Sequence, residues 1–287
     1  MAKREELSEL EAVVKRLRRL DYASYLSVRF SPKETRDELY WLYGFFHEVA
    51  QIPFKSDEPL LGEIRMQWWR DGLVKLERGE RVGHPVADGL GDCLAERGPL
   101  LRGAMTGIID SFRFDIQKTP VPDMATFFEI QDQRYGGLLR AALLITGCST
   151  PQTVLLASEA GMSIGVTAAI AQLPLTLQAG MQPLPVDMLS AHGLTHQDFM
   201  TSDAPSPEIA VRIGKALYAI ADGGVVISWD IKARLGMVKK KQRVYFSCWM
   251  IVPALLKTAI EDRRLARPII SSLNPLRIYM TLLRGTV

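Results

Sequence analysis

One helical segment, LYGFFHEVAQIPF (residues 42–54), places a histidine beside a glutamate, His47 and Glu48. Both residue types can carry a proton to or from a substrate. Adjacent positions in a helix point about 100° apart, however, so the two side chains cannot converge on one reacting atom. We therefore do not expect an acid–base pair, and we predict no catalytic residue in this segment.

A second group superficially matches a metal-ligand pattern. In HGLTH, His192 and His196 lie four residues apart, with Asp187 and Asp198 nearby. Gly193 weakens the helix that would align the two histidines, and no HExxH sequence follows. The sequence therefore predicts no metal site here, and the predicted set of metal ligands is empty.

The string GEIRMQWWRDGL (residues 62–73) combines two arginines with two tryptophans. In one interpretation, Arg65 and Arg70 contact a phosphate or a partner protein, and Trp68 and Trp69 form a wall beside them. In the other, Trp68 packs in the core while the arginines pair with Glu63 and Asp71 on the surface. The sequence leaves both interpretations open.

Near the C-terminus, a basic run precedes an apolar segment in KARLGMVKKKQRVYFSCWMIVPALL. Lys239, Lys240, Lys241 and Arg243 are candidates to contact anionic lipid headgroups, with Trp249 entering the membrane interface. The alternative is a solvated loop that leads into a core helix. Because this single run has no interleaved aromatic platforms and the net charge is only +3, we predict no nucleic-acid binding.

The elements that carry these residues are predicted to be helical nearly throughout, because apolar residues recur every three or four positions and no alternating strand pattern is seen. Ser31 is predicted to cap the helix that holds His47. Further helices are predicted at 86–97, 99–117, 122–147, 151–177, 207–235, 242–265 and 273–284. The expected architecture is one all-α domain over residues 1–287.

Residues 160–186 contain no charged side chain, which is typical of a helix at the centre of a helical domain. Gly161, Gly165 and Ala168 would allow neighbouring helices to approach closely. No uninterrupted apolar run of about 18 residues is present, so we predict no transmembrane span. Three cysteines without CxxC spacing fit a reducing compartment. The expected location is the cytoplasm, with peripheral contact at the inner face of the membrane, or the mitochondrial matrix in a eukaryote.

The order of RDELYWLYGFFHEVA, GEIRMQWWRDGL, YGGLLRAALLITG and GMQPLP resembles the squalene/phytoene synthase family, over roughly residues 20 to 260. The resemblance implies an isoprenoid-synthase-type helical bundle around a deep central cavity. In that family, two facing aspartate-rich motifs hold Mg²⁺ ions, which bind the substrate diphosphates and stabilise the departing pyrophosphate.

Both aspartate motifs are missing from this chain. The first motif's aspartates would fall on Ala50, Gln51 and Phe54, and the second motif's outer aspartates on Gln172 and Thr176. None of these side chains is a good magnesium ligand. The family positions that would line the cavity, with His47 at its mouth, are Tyr43, Phe46, His47, Gln51, Met162, Gly165, Ala169 and Gln172.

The strings FFHEVA and GEIRMQWWR further resemble the branch of this family related to the mitochondrial complex I assembly factor. The resemblance implies a non-catalytic protein without a cofactor, acting in respiratory-complex assembly and binding an isoprenoid or other lipid, or a protein partner such as a subunit of the complex. The alternative is a prenyl transferase for head-to-head condensation of isoprenoid diphosphates, with Mg²⁺ held by atypical ligands.

Overall fold

The chain folds into helices that wrap around one long central helix. The computed structural model describes residues 2–55, 57–199 and 206–235. Within these ranges the α-helices are α1 (Ala2–Leu20), α2 (Tyr22–Phe30), α3 (Arg36–Ala50), α4 (Pro59–Glu77), α5 (Pro85–Asp88), α6 (Gly91–Asp110), α7 (Arg113–Gln117), α8 (Met124–Gln131), α9 (Gly137–Ile145), α10 (Pro151–Ala171), α11 (Leu173–Gln178), α12 (Val186–Ala191) and α13 (Pro207–Leu235).

Short non-α turns complete these ranges. They are 3₁₀ turns at Lys33–Thr35, Ile52–Phe54 and His196–Phe199, and a π-helical turn at Asp132–Gly136. The described ranges contain no strand. Their only β-type backbone pairing is an isolated bridge between Val121 and Pro185. The all-α prediction is therefore confirmed for this part of the chain.

Several predicted helix ends were wrong. Ser31 does not cap α3; its hydroxyl donates to the carbonyl of Ser27 at the end of α2, and α3 begins only at Arg36. The break predicted at Gly98 is confirmed, because α6 kinks there, where φ is +59°. The helix predicted at 99–117 is divided, since α6 ends at Asp110 and α7 begins at Arg113. The predicted helices 242–265 and 273–284 lie outside the described residues.

The central helix is α10, as predicted from the absence of charged residues from Ala160 onward. It packs against α8, the π turn, α9 and α13. A Cβ added at Gly161 would lie 2.0 Å from the backbone nitrogen of Gly136, and one added at Gly165 would lie 2.4 Å from Oε1 of Gln131. These glycines therefore permit the close approach that the sequence predicts.

One helix of the described part of the chain, α10 itself, is long and apolar enough to cross a membrane, with a mean hydropathy of 1.6 in its most apolar stretch. Half of that stretch is buried against other helices, including the contact from the Ser163 hydroxyl to the carbonyl of Gly224 on α13. A core helix of a folded protein has the same composition. We therefore interpret α10 as the core of the bundle.

Helix α3 lies on the other side of the core and is almost fully buried from Leu39 to Phe46. It packs against α1, α2, α5, α6 and α9. Helix α3 ends three residues before Pro53, a residue that cannot continue a helix. This packing places Phe46 against the π turn that borders α10.

Candidate functional site

A small interior cavity lies between the π turn and α10, where the family resemblance predicts a deep one. Its volume is about 40 Å³. Ala169, Gln172 and Thr176 line one side, and Gln131, Arg134 and Tyr135 line the other. The two positions of the missing second motif, Gln172 and Thr176, therefore do face a common interior space.

The π turn Asp132–Gly136 explains why two consecutive side chains, Arg134 and Tyr135, both reach this cavity. A π turn contains one more residue than a regular helical turn, so it changes the direction in which the following side chains point. Gly136, at its end, is pressed against Gly161 of α10, and no larger residue would fit between them. The turn is thus held in place by a close backbone contact.

The Asp115 carboxylate at the cavity wall is already paired with Arg134. The Nη2 atom of Arg134 lies 2.5 Å from Oδ2 of Asp115 and also donates to the carbonyl of Ser111 at 2.8 Å. The guanidinium stacks 3.9 Å from the ring centroid of Phe112. Because Arg134 engages this carboxylate at close range, the residues present do not fit a magnesium site.

Tyr135 closes the cavity toward α3. Its ring lies 5.4 Å from the ring of Phe46, and its hydroxyl is hydrogen-bonded to the side chain of Gln172. Burial raises the pKa of Tyr135 to about 12, so the phenol stays neutral at physiological pH. Tyr135 and Gln172 therefore form an uncharged polar pair where the family would hold charged metal ligands.

The residues predicted to line the cavity lie in several different environments. Ala169 and Gln172 line the cavity, and Phe46 reaches it only through its contact with Tyr135. The side chain of Gln131 occupies the space beside Gly165. Tyr43 is buried in α3, and Met162 is half-buried on α10.

The prediction for Gln51 was wrong. Helix α3 ends at Ala50, and Gln51 is an exposed residue at its C-terminus, where its N–H donates to the carbonyl of His47. Phe54, the third position of the missing first motif, is 41% exposed. Gln51 and Phe54 are not among the residues that line the interior cavity with Gln172 and Thr176.

His47 and Glu48 hold the N-terminal helices onto α3. The Nε2 atom of His47 lies 3.6 Å from Oδ2 of Asp21, and Glu48 forms a salt bridge with Arg16 of α1. Burial alone would raise the pKa of Glu48, but the hydrogen bond and charge of Arg16 outweigh it, and the pKa is lowered. These contacts give both residues a structural partner.

In α4 the buried tryptophan is Trp69, whereas Trp68 is 40% exposed. The interpretation in which Trp68 packs in the core was therefore wrong. Arg70 pairs with Asp110 at 2.7 Å rather than with Asp71 or Glu63. Arg65 is exposed, and within the described ranges it takes part in no salt bridge. The two arginines of the motif therefore have different surroundings.

The Arg70–Asp110 pair borders an open cleft of about 670 Å³, which sequence reasoning missed. Arg113, Phe114 and Glu129 also line it. Phe114 and Ile130 are shared with the interior cavity, so these two side chains separate the cavity from the cleft. No sequence signal marks this cleft, because its residues come from several separate helices.

The histidines of HGLTH do not converge on a metal. His196 is buried, with its pKa lowered by that burial, whereas Asp198 accepts hydrogen bonds from Thr195. Among residues 2–55, 57–199 and 206–235, no group of three His, Cys, Asp or Glu side chains could hold a metal ion. Lys239, Lys240, Lys241, Arg243 and Trp249 lie outside the described residues.

Comparisons with known proteins agree on one family. The squalene/phytoene synthase sequence profile matches residues 17–254. NADH dehydrogenase (ubiquinone) complex I, assembly factor 6, from Mus musculus is 26% identical over 184 residues, which is 64% of this chain but only 55% of that protein. The chain thus spans about half the length of these relatives. A presqualene diphosphate synthase from Rhodopseudomonas palustris is 26% identical over 205 residues, covering 69% of this chain and 72% of that protein.

Solved structures show the same fold. A dehydrosqualene synthase superposes with a TM-score of 0.80 at 12% identity, covering 98% of this chain and 96% of the other. The squalene synthase HpnC from Alicyclobacillus acidocaldarius gives a TM-score of 0.66 at 19% identity, covering 88% of this chain and 94% of the other. At these identities the likeness concerns the fold alone.

Proposed function

Because the chain belongs to the squalene/phytoene synthase family, we propose that it is a non-catalytic member that uses the family's helical bundle in the assembly of a respiratory complex. The observation that carries this proposal is the state of the second motif. Gln172 and Thr176 are uncharged and line a cavity of only about 40 Å³. The nearby carboxylate of Asp115 is paired with Arg134.

The size of the cavity supports the absence of catalysis. A cavity of about 10–15 Å³ holds one water molecule, so 40 Å³ has room for a few waters. Sites for small organic ligands measure about 300–1,000 Å³. The cavity volume is well below that range, which supports a bundle that does not hold two prenyl diphosphates.

The assembly role is supported by the mammalian relatives, which are named as complex I assembly factors. The partner would be a subunit or another assembly protein of a respiratory complex, bound at the surface of the bundle. The location we propose is the cytoplasm at the inner face of the membrane, or the mitochondrial matrix of a eukaryote. No cofactor is required for this role.

Two alternatives remain as proposals. An isoprenoid or other lipid tail could enter between Ala169 and Gln172 if Phe114 and Ile130 moved apart, because these two residues separate the cavity from the open cleft. A prenyl transferase with atypical Mg²⁺ ligands is favoured by the presqualene diphosphate synthase relative. That enzyme would need carboxylates that the described residues do not bring together.

The first test is to incubate the purified full chain with Mg²⁺ and farnesyl or geranylgeranyl diphosphate while measuring pyrophosphate release and thermal stability. A dehydrosqualene synthase serves as the positive control. We expect no pyrophosphate and no Mg²⁺-dependent rise in the melting temperature. Turnover above the buffer blank would contradict the non-catalytic proposal and favour the prenyl transferase.

The assembly role is tested separately by deleting the gene in its source organism. Native electrophoresis of the membranes should show less fully assembled NADH dehydrogenase complex and more subassemblies, and the intact gene should restore it. Wild-type levels of the assembled complex in the deletion strain would exclude this role. The result is independent of whether diphosphates bind.

A further inference from the structure

Three arginines from three different helices lie around a pair of stacked tyrosines where α1, α2 and α3 meet. Tyr25 of α2 and Tyr40 of α3 stack with their ring centroids 6.3 Å apart. The guanidinium of Arg18, in the last turn of α1, lies 6.0 Å from the centroid of the Tyr25 ring. Arg29 lies in the last turn of α2, and Arg36 begins α3. We call these five residues the arginine–tyrosine cluster.

The hydroxyl of Tyr40 is a buried donor without an acceptor. Tyr40 is only 5% exposed, and its hydroxyl has no hydrogen-bond partner among the described residues. Burial raises the pKa of this phenol to about 12, so the hydroxyl keeps its proton. The groups whose charges act most strongly on it are Tyr25, Arg29, Arg36 and Asp37. Because buried donors in native proteins are nearly always paired, we expect an acceptor from outside the chain at this hydroxyl.

The guanidinium groups of the cluster are also donors that lack an acceptor. In the part of the chain that the structure describes, none of the three arginines forms a salt bridge. Arg36 donates from Nε to the carbonyl of Ser31 at 2.8 Å, which leaves both of its Nη groups available. Arg18 and Arg29 are exposed. The cluster therefore presents several N–H and O–H donors together.

The charge of this region favours an anion. Residues 15–37 contain seven Lys or Arg and three Asp or Glu, a net charge of +4, whereas the whole chain carries only +3. Asp37 is the carboxylate that acts on the Tyr40 phenol, and it is exposed. Within the described ranges it accepts no hydrogen bond from the cluster. One carboxylate beside three guanidinium groups leaves the cluster with a net positive charge.

We propose that the arginine–tyrosine cluster binds a phosphate group, with the Tyr40 hydroxyl and the guanidinium groups of Arg29 and Arg36 donating to its oxygens. A guanidinium can donate to two phosphate oxygens in parallel, and a phosphate still has an oxygen left for the phenol. A carboxylate has only two oxygens, fewer than these donors require. Because the Tyr40 hydroxyl is enclosed, a phosphate reaches it only when the more exposed side chains of Tyr25 and Arg29 move aside.

This site is separate from the interior cavity. No residue of the cluster lines that cavity, and none occupies a position of the two missing aspartate motifs. The inference therefore depends neither on the proposed assembly role nor on the absence of catalysis. A small soluble molecule and a lipid headgroup both supply a phosphate, so the experiment has one arm for each source.

The first arm measures binding of inorganic phosphate to the full chain by isothermal titration calorimetry at constant ionic strength. Tyr40→Phe is the decisive variant, because it removes one hydroxyl and keeps the ring stacked on Tyr25. We expect phosphate to bind it about tenfold more weakly, since a hydrogen bond to a charged acceptor is lost. Its melting temperature without phosphate should be unchanged or slightly higher, because an unpaired buried donor is removed. A hydroxyl with a purely structural role would lower that temperature.

Three further variants test the charges. Arg29→Gln should weaken phosphate binding about tenfold, because a charge-assisted hydrogen bond is lost. Asp37→Asn should strengthen binding, since it removes a negative charge that repels the ligand. Arg65→Gln is the matched control: Arg65 is exposed on α4, outside the cluster, and the substitution removes the same charge. It should bind phosphate as the wild type does.

The second arm measures sedimentation of the full chain with vesicles of phosphatidylcholine that contain phosphatidic acid, with pure phosphatidylcholine as the blank. Binding that occurs only in this arm, and that Tyr40→Phe and Arg29→Gln both weaken, would support the site and identify a lipid as the source of the phosphate. Absence of wild-type binding in both arms would overturn the proposal. So would equal binding by the wild type, Tyr40→Phe and Arg29→Gln, or an equal loss in Arg29→Gln and Arg65→Gln.

Discussion

Arg134 and Asp115 form an ion pair of 2.5 Å at the wall of the interior cavity, with only 15% and 12% of their side chains exposed. Removing one partner of such a pair leaves a buried charge without compensation, which costs about 3–5 kcal/mol. Arg134→Met should therefore lower the free energy of unfolding by about this amount in urea denaturation. The double variant Asp115→Asn with Arg134→Met should lose less than the sum of the single losses.

Arg212→Met is the control for this experiment. Arg212 forms an exposed pair with Glu208 on α13, and exposed helix pairs contribute about 0.3–0.5 kcal/mol. Equal losses for Arg134→Met and Arg212→Met would contradict the structural importance assigned to the cavity pair.

Asp21 gives the folded protein a pH dependence in acid. Burial alone would raise its pKa, but the electrostatic interaction with His47 and the hydrogen bonds donated by the N–H and hydroxyl of Ser24 outweigh it, and the pKa is lowered. A lowered pKa means stabilisation that is present above the unfolded value, near 4, and lost as pH falls through the folded value. Asp21→Asn should therefore be less stable than the wild type at neutral pH.

The difference in melting temperature between the wild type and Asp21→Asn should shrink as the pH falls below about 4. Asp21→Ala, which also loses the N-cap contact to the Ser24 N–H, should cost about 1 kcal/mol more than Asp21→Asn. A difference that stays constant down to pH 2 would contradict a charged role for this carboxylate.

Two glycines test the packing of α10. A Cβ at Gly161 would lie 2.0 Å from the backbone nitrogen of Gly136, and backbone cannot move aside cheaply. Gly161→Ala should destabilise the protein by more than about 2 kcal/mol, in the range of other overpacked sites. Gly103→Ala in α6 has nothing within 4 Å of the added atom, so it should be neutral or stabilising by up to about 1 kcal/mol. Chemical denaturation of both variants checks the contrast.

Restoring acidic residues at the second motif should not restore metal binding. Thr176 is 8% exposed and its hydroxyl donates to the carbonyl of Leu173. The double variant Gln172→Asp with Thr176→Asp places two carboxylates in a cavity of about 40 Å³, where like charges repel and desolvation is costly. Its melting temperature should fall by several degrees, consistent with a loss of about 1–2 kcal/mol in a domain of this size.

Addition of Mg²⁺ should not recover that melting temperature, because the first-motif positions Gln51 and Phe54 carry no carboxylate and do not line the cavity. Gln172→Asn with Thr176→Ser is the uncharged control. A rise of several degrees with Mg²⁺ in the acidic variant alone would show that the cavity keeps a metal-binding geometry.

The helical class and the central position of α10 could be predicted from the sequence. A 3.6-residue apolar period and a charge-free stretch depend only on which residues follow one another within a short segment. The choice between Trp68 and Trp69 could not. Both are equally apolar, and the rotation of α4 that buries Trp69 is fixed by the contact of Gly62 with Ile116, far away in the chain. The pairing of Arg70 with Asp110 is of the same long-range kind.

Ala169 and Gln172 line the interior cavity, but the family resemblance implied a deep one. The small volume depends on side chains from the π turn, which the sequence did not predict. Gln51 was misplaced because the resemblance gave it a position in a motif, whereas α3 ends one residue earlier. Helix ends depend on caps and on packing that a periodic pattern does not contain.

The π turn Asp132–Gly136 also affects how this chain should be aligned with its relatives. Such a turn corresponds to one residue inserted into a helix, and a helical residue contributes about 100° of rotation and 1.5 Å of rise. Deleting one residue here would change the orientation of Arg134 relative to Arg140, whose side chain donates a hydrogen bond to Asp132. If a relative has a regular helix here, an alignment without a gap would match the cavity residues of this chain to residues on a different face of the relative's helix. The role of a residue can therefore be carried from that relative to this chain only when the alignment places a gap within these five positions.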